Sequence, residues 1–427
     1  MFTRYFTTLL FLALSVASLP VEEPLLIVPL SKHVRSSQSG HIVQDAQMRA
    51  TALRHAGVLQ TRADAPNPAP VPLTDAATIY TAEIGVGSPS TKYNLIVDTG
   101  SSNTWIGNGR AYVKTATSNY TGCAVSVAYG SGAFSGKEYT DTVTLGSGMQ
   151  ITGQSIGVAS SSRGFNGGHD GILGLGPVEL TADTVDGVNL VPTVTDNLSS
   201  QKKIKQNLIA VSLQPVNSTV ANLPNGEMSF GQTNPAKFTG AIEYFPITRT
   251  SPSSMYWGVD HSITYGKQQI LTGAAGIVDT GSTLTLIPSG ERICNFRFPK
   301  VSKLTDLPQD AFELYKKATG GVLDRPTGLL KLTSVQYANL QPLNFVINGK
   351  TFALSPNAQI WPRALNQNIG GQAGFIYLTV ADIKTPSGDG FDTIMGMSFL
   401  ERFYSVYDTT NKRVGLASTA WTNLEVN

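Results

Sequence analysis

Residues 96–107 read IVDTGSSNTWIG, and residues 277–288 read IVDTGSTLTLIP. Each places one Asp, Asp98 or Asp279, between an apolar pair and Thr-Gly-Ser. Alone, such a stretch is a turn, because Asp and Ser bond their own backbone and Gly takes positive φ. Here each Asp also follows a hydrophobic strand, YNLIV or AAGIV, and another apolar run comes soon after. A carboxylate between two buried strands is costly unless something satisfies or uses it. Its recurrence 181 residues later marks an internal duplication.

A second pair supports the duplication. DGILGLG (170–176) follows the first motif and DTIMGMS (392–398) follows the second, each running Asp, small residue, two apolar residues, Gly. The intervals differ, 74 residues from Asp98 to Ile172 against 115 from Asp279 to Ile394, so the second half carries extra chain, expected in loops. Short Val-, Ile-, Thr- and Tyr-rich runs between Gly, Asn, Asp and Ser turns read as β. The expected fold is all-β, mainly antiparallel, with two lobes around a pseudo-two-fold axis and a few short helices. Two symmetric turns meeting at that axis would bring two carboxylates into one cleft. At about 3 Å apart they cannot both ionise and share one proton. One can then take a proton from a water while the other donates to a carbonyl, with no metal and no covalent intermediate.

The chain of 427 residues is 41% hydrophobic and 14% charged, with a net charge of +2. No basic cluster marks a nucleic-acid footprint. Residues 1–18, MFTRYFTTLLFLALSVAS, read as a secretory signal, and no later segment is apolar and long enough to span a bilayer. Residues 19–65 carry Lys32, Arg35, Arg49, Arg54 and Arg62 and three of the five histidines, and the Pro-rich stretch DAPNPAPVP (64–72) follows. Signal, basic segment, linker and β-rich body are the layout of a secreted precursor with a propeptide. The body divides into 66–245 and 246–427. Asn119, Asn197 and Asn217 head glycosylation triplets that fit this route. Only Cys123 and Cys294 are present, one in each half, and both are expected unpaired, leaving no disulfide. No His-Glu-x-x-His motif, paired-Cys ligand set, phosphate loop or serine elbow appears, so no metal and no cofactor is called for.

On these motifs the chain resembles the pepsin-like aspartic endopeptidases, in particular secreted fungal enzymes of the polyporopepsin type, over about residues 70–427. The resemblance implies that Asp98 and Asp279 are the catalytic pair. It implies that Thr99 and Thr280 cross-link the two loops, that Ser101 and Ser282 bond the outer carboxylate oxygens, and that Gly100, Gly281 and Thr283 support them. VAYGSGAFSG (127–136) would be the flap hairpin. Tyr129 would pack over the substrate and bond toward Trp105, while Gly130, Ser131 and Gly132 offer backbone groups to the peptide. The C-terminal stretch 399–417 should give a short helix and a strand hairpin. The region 107–122 departs from many relatives in lacking a cysteine pair.

The implied activity is cleavage of polypeptides at acidic pH by an extracellular monomer, with no nucleic acid or membrane partner. Ile96, Tyr129, Phe165 and Ile172 should line an apolar pocket favouring Phe, Leu or Met before the cut, and uncharged Ser131 disfavours Lys there. The propeptide would lie across the cleft as an intramolecular inhibitor, with a basic residue between Lys32 and Arg54 near the two Asp. The alternative is a catalytically inactive relative that binds peptides or inhibits another enzyme. Loss of either Asp would favour it, and both are present.

Overall fold

The computed structural model describes residues 25–34, 42–59, 78–129, 132–165, 168–215, 223–290 and 310–427. The signal segment, the Pro-rich linker, Gly130, Ser131, Asn217 and Cys294 lie outside the described residues.

The chain opens with strand β1 (Leu26–Val34) and helix α1 (Ile42–Leu59). The first half then runs through β2 (Thr78–Val86), β3 (Thr91–Asp98), β4 (Trp105–Ile106), β5 (Asn119–Ala128), β6 (Ala133–Leu145), β7 (Met149–Arg163) and β8 (Gly171–Gly174). Helix α2 (Val194–Ser200), β9 (Leu208–Leu213), β10 (Leu223–Phe230) and β11 (Thr239–Pro246) complete it. The second half contains β12 (Gly258–Tyr265), β13 (Gln268–Val278), β14 (Thr285–Ile287), α3 (Ala311–Thr319), β15 (Val322–Leu323) and β16 (Leu330–Leu332). It continues with α4 (Ser334–Ala338), β17 (Leu343–Ile347), β18 (Lys350–Leu354), β19 (Ile376–Tyr377), β20 (Val380–Asp382), β21 (Thr393–Met395) and α5 (Met397–Leu400). The hairpin β22 (Phe403–Asp408) and β23 (Arg413–Ser418) ends the fold, as the sequence at 399–417 suggests.

The two halves repeat one arrangement. Strand β3 pairs parallel with β8, Ile96 opposite Ile172 and Asp98 opposite Gly174, and β4 closes antiparallel on β8. Strand β13 pairs parallel with β21, Ile277 opposite Ile394, and β14 closes antiparallel on β21. Strand β3 buries Tyr93, Leu95 and Val97 and half-buries Ile96, and β13 is buried throughout from Ala274 to Val278, which accounts for the apolar run that precedes each Asp. The Gly of each later motif is steric. A Cβ on Gly174 would lie 2.4 Å from the Ser102 carbonyl carbon, and one on Gly396 2.3 Å from the Leu284 carbonyl oxygen. Each motif therefore threads against the turn that carries its Asp.

A thirteen-stranded sheet runs β11-β23-β22-β9-β10-β1-β2-β3-β8-β4-β7-β6-β5, and a seven-stranded one runs β18-β17-β12-β13-β21-β14-β20. The extra chain of the second half differs from the loops expected of it. Much of it forms α3, α4 and the small sheet β15-β16-β19. Helix α3 is amphipathic, with Ala311, Phe312 and Tyr315 buried, capped by Asp310 at one end and by left-handed Gly320 at the other.

The segment ahead of the body is an integral part of the sheet. Strand β1 sits between β10 and β2, burying Leu26, Val28 and Leu30. Lys32 is buried too, and its Nζ meets Glu401 Oε1 at 2.6 Å. Pro29 cannot donate to a ladder, and it stands where β1 has a partner on one side alone, since pairing with β2 begins at Ser31.

Candidate active site

The two Asp-Thr-Gly turns meet. Thr99 N donates to Thr280 Oγ1 and Thr280 N donates to Thr99 Oγ1, both at 3.0 Å. Each hydroxyl then donates across the axis, Thr99 to the Val278 carbonyl at 3.2 Å and Thr280 to the Val97 carbonyl at 2.9 Å. Four buried bonds thus lock the turns in register. Ser101 Oγ donates to Asp98 Oδ2, and Ser282 Oγ to Asp279 Oδ2, both at 2.6 Å. Gly100 N and Gly281 N donate to Oδ1 of the Asp two residues before them. Neither glycine tolerates a side chain, because a Cβ on Gly100 would lie 2.6 Å from Asp279 Oδ1 and one on Gly281 2.3 Å from Asp98 Oδ1. Thr283 does not reach the carboxylates; its hydroxyl donates to the Thr78 carbonyl and ties the turn to β2.

Thr99→Val or Thr280→Val should leave one buried N–H without its acceptor, at a cost of about 1–3 kcal/mol. We expect each change to lower the thermal midpoint, and by similar amounts because the bonds are dyad-related. A midpoint within a degree of the parent for either variant contradicts this account of the turns.

Arg49 of α1 enters between the carboxylates. Its Nε donates to Asp279 Oδ2 at 2.9 Å, and its Nη2 donates to Asp98 Oδ1 at 2.6 Å and to Asp279 Oδ1 at 3.0 Å. All three side chains are buried. Burial alone would lower the Arg49 pKa, but the two carboxylates outweigh it and raise it. The two Asp are pushed apart. Burial raises Asp98 above its ordinary 3.8, with the neighbouring Asp279 charge adding to it against the opposing pull of Arg49. Burial acts on Asp279 in the same sense, but the Arg49 charge, the Arg49 and Ser282 bonds and the Gly281 N–H together hold it lower than 3.8. The pair titrates as a unit, in two steps that belong to both groups.

The helix is shaped for this seat. Ile42, Val43, Ala46, Ala50 and Leu53 form its buried stripe, with Arg49 set into it. Gln47 Nε2 donates to the Asp382 carbonyl at 2.7 Å, and Tyr256 Oη donates to the Leu53 carbonyl at 2.6 Å. Full burial of Ile42 or Leu53 is worth about 1.5–3 kcal/mol each. Sequence reasoning bounded the basic residue to 32–54 without choosing one, and it missed Tyr256 as a contact of the docked helix.

The hairpin at 127–136 forms as read, with Val127 opposite Phe134, Ala128 opposite Ala133, and Tyr129 N donating to the Gly132 carbonyl at 2.7 Å. Its tip residues Gly130 and Ser131 lie outside the described residues. Burial pushes the Tyr129 phenol well up, and the Trp105 and Ser101 side chains act against that as hydrogen-bond partners, although the contact with the Trp105 Nε1 falls short of ideal hydrogen-bond geometry. Tyr129 also stands edge-on to Phe165 at 5.5 Å, and the Trp105 indole stacks on Phe134 at 4.4 Å. Tyr129, Phe165 and Ile172 share one apolar cluster, with Ile96 against its margin.

Cys123 is unpaired on β5, and Cys294 lies outside the described residues. Asn119 is exposed on β5. Asn197 sits in α2 with its amide nitrogen donating to Gln154 Oε1 at 2.9 Å, and Asn217 lies outside the described residues. Among the described residues, no group of three His, Cys, Asp or Glu side chains is placed to hold a metal ion, and no helix is long and apolar enough to cross a membrane.

Dyad-related Asp turns, locked by reciprocal threonine bonds between two β lobes, define the pepsin-like aspartic peptidases. Comparison with known proteins agrees. The family model for eukaryotic aspartyl protease matches residues 79–419. Polyporopepsin from Irpex lacteus is 56% identical over 360 residues, covering 84% of this chain and 99% of that protein. Rhizopuspepsin from Rhizopus chinensis is 30% identical over 412 residues, 92% of this chain and 87% of its own length. The crystal structure of the aspartic proteinase from Irpex lacteus superposes with a TM-score of 0.75, covering 82% of this chain and 96% of that one. The chain belongs to the eukaryotic aspartyl protease family, and it is an aspartic endopeptidase that hydrolyses polypeptide substrates.

Proposed function

We propose that the chain is a secreted precursor, with a signal peptide at 1–18, a propeptide over 19–65 and lobes at 66–245 and 246–427, that cleaves polypeptides outside the cell at acidic pH. Asp98 and Asp279 are its catalytic pair. The observation that carries this is the meeting of two buried carboxyls in one dyad-related hydrogen-bonded frame, close enough for a single Arg49 nitrogen to reach both. Two carboxyls held so close share one proton, which divides acid and base work between them. With Arg49 withdrawn, the ionised member takes a proton from a water lying between them, and the protonated member donates to the scissile carbonyl. The oxygen of that water adds to the carbonyl carbon to give a tetrahedral diol. Proton transfer to the departing nitrogen then breaks the C–N bond. Acid-dependent cleavage of denatured haemoglobin, blocked by a statine-containing inhibitor, tests the reading. No cleavage at any pH from acid to neutral, after removal of the propeptide, would sink it and favour an inactive peptide-binding role.

Docked α1 is the latent state. Arg49 occupies both carboxylates and leaves no place for a water or a peptide carbonyl, while β1 anchors the same segment in the sheet. The cluster of Tyr129, Phe165, Ile172 and Ile96 supports an apolar pocket for the residue before the cut. A buried ammonium would find no carboxylate partner on those four side chains. Peptides with Phe or Leu at that place should be cut at least about tenfold faster than the same peptides with Lys, given about 1.5–3 kcal/mol for burying a large apolar side chain. Equal kcat/KM for Lys and Phe in a matched pair removes this pocket assignment. N-terminal sequencing of the secreted product fixes the propeptide boundary.

A further inference from the structure

Five residues beyond Arg49, a second arginine of α1 is held by the other lobe. Arg54 Nη2 donates to Thr385 Oγ1 at 2.6 Å and to the Phe391 carbonyl at 3.0 Å. Its Nη1 lies 4.0 Å from Asp389 Oδ2, and the Asp392 charge acts on it as well. We propose that this wall is a subsite for a basic side chain of the substrate, two or three residues after the cut bond. The proposal rests on the reading of the cleft as the place of peptide cleavage.

The wall does not depend on α1 for its shape. Asp392 is buried, and its two oxygens accept from Ala275 N at 2.9 Å and from Gly388 N at 2.7 Å. Ser253 Oγ donates to the Gly390 carbonyl at 2.6 Å, and the buried Phe391 ring stands edge-on to Tyr256 at 5.9 Å. The loop that presents the Phe391 carbonyl and Asp389 is therefore braced by its own lobe. Release of the helix leaves a hydroxyl, a carbonyl and a carboxylate facing the cleft, all of them acceptors suited to a planar guanidinium.

The duplication gives the direction. Ile394 is the counterpart of Ile172, so Asp392 and Phe391 correspond to Asp170 and His169, beside the first-lobe pocket for residues before the cut. The dyad-related wall then serves residues after it. Distance gives the place. Five helical residues advance about 7.5 Å, which an extended chain covers in about two or three residues. A cavity of about 100 Å³, lined by Ala50, Thr51, Arg54, His55, Ile383 and Thr385, remains between helix and wall, so the docked helix does not fill the space an extended peptide would use.

The test uses the acid-activated enzyme and a set of quenched peptides with Phe before the cut. Arg, Lys, norleucine and Glu are placed in turn at the second, third and fourth positions after it. At the second or third position, kcat/KM for Arg should exceed that for norleucine about tenfold, with Lys between them, because one Arg nitrogen serves both oxygen acceptors. In Asp389→Asn/Thr385→Val the Arg-to-norleucine ratio should fall below about twofold, and Asp389→Arg should turn the preference toward Glu. If the norleucine peptides are cut and Arg gains no more than twofold at any position, the subsite is refuted while the protease reading stands. A preference that survives the double substitution intact also refutes it. If the norleucine peptides are not cut at all, the underlying reading of the cleft fails instead.

Discussion

Asp98→Asn or Asp279→Asn should reduce kcat on an acid-cleaved peptide by about 10³-fold or more, with the fold retained. General acid and base groups each contribute about 10²–10⁴ in rate, and here one proton serves both roles. An amide can neither share that proton nor take one from water. The surrounding bonds predict that the shape survives. In Asp98→Asn, Gly100 N keeps a carbonyl oxygen in the place of Oδ1, the Ser101 hydroxyl can turn to accept from the amide nitrogen in the place of Oδ2, and the threonine bonds do not pass through the carboxylate. Two readouts separate chemistry from folding. The processed variants, freed of the propeptide by an added protease, should melt within a few degrees of the parent and yet cut no more than background. If either variant retains more than a few percent of parental turnover, the paired-carboxylate mechanism is wrong.

How much of this was legible in the sequence depends on whether a contact is local or shared. The two Asp turns and the two apolar-apolar-Gly motifs could be read because each is a continuous stretch whose chemistry is costly without its fold. Their pairing followed from the repeat alone, and β3·β8 and β13·β21 realise it in the same register. The reciprocal Thr99–Thr280 bonds came from the resemblance, since no local pattern tells a threonine to reach a turn 181 residues away. The flap hairpin was visible in its turn residues. Its Tyr129–Trp105 contact came from the resemblance, since no local pattern joins two residues 24 apart in the chain.

The extra chain of the second half carries a helix signal of its own, with Ala311, Phe312 and Tyr315 at helical spacing between an Asp cap and a Gly stop. Arg49 carried a signal that was left unused. Ile42, Ala46, Ala50 and Leu53 recur at intervals of three and four residues, and Arg49 lies inside that stripe rather than on the wet face. A lone guanidinium on an apolar helix face requires a buried acceptor. The two aspartates at the centre of the fold were the unpaired carboxylates already in view.

Arg49→Leu should abolish latency. Removing one partner of a buried ionic cluster costs about 3–5 kcal/mol, because it leaves charge buried without compensation. Here two carboxylates would face a leucine. The helix has other contacts, including Ile42, Leu53 and the Tyr256–Leu53 bond. The expected result is a precursor in which α1 docks weakly and exchanges with the open cleft. Acid acts in a defined direction. The docked Asp279 is held lower than 3.8, so its share of the docking energy is fully present above the ordinary carboxylate range and is lost as pH falls through the depressed value. Arg49 also pulls Asp98 down against the burial and the Asp279 charge that raise it in the docked and open cleft alike, so a proton on Asp98 weakens docking in the same sense. Acid release therefore comes through protonation of the pair, and the parent precursor should open as pH falls into the range where the two carboxyls take up protons. At pH 5.5 a statine-containing inhibitor should bind Arg49→Leu at least about 100-fold more tightly than the parent precursor, the fraction expected when about 3 kcal/mol of docking energy is removed. Arg49→Lys should fall between them, since an ammonium supplies the charge without the fork that reaches both carboxylates. Equal inhibitor binding by the parent and Arg49→Leu precursors at that pH, with the propeptide intact on a gel, would show that Arg49 is not what holds the cleft closed.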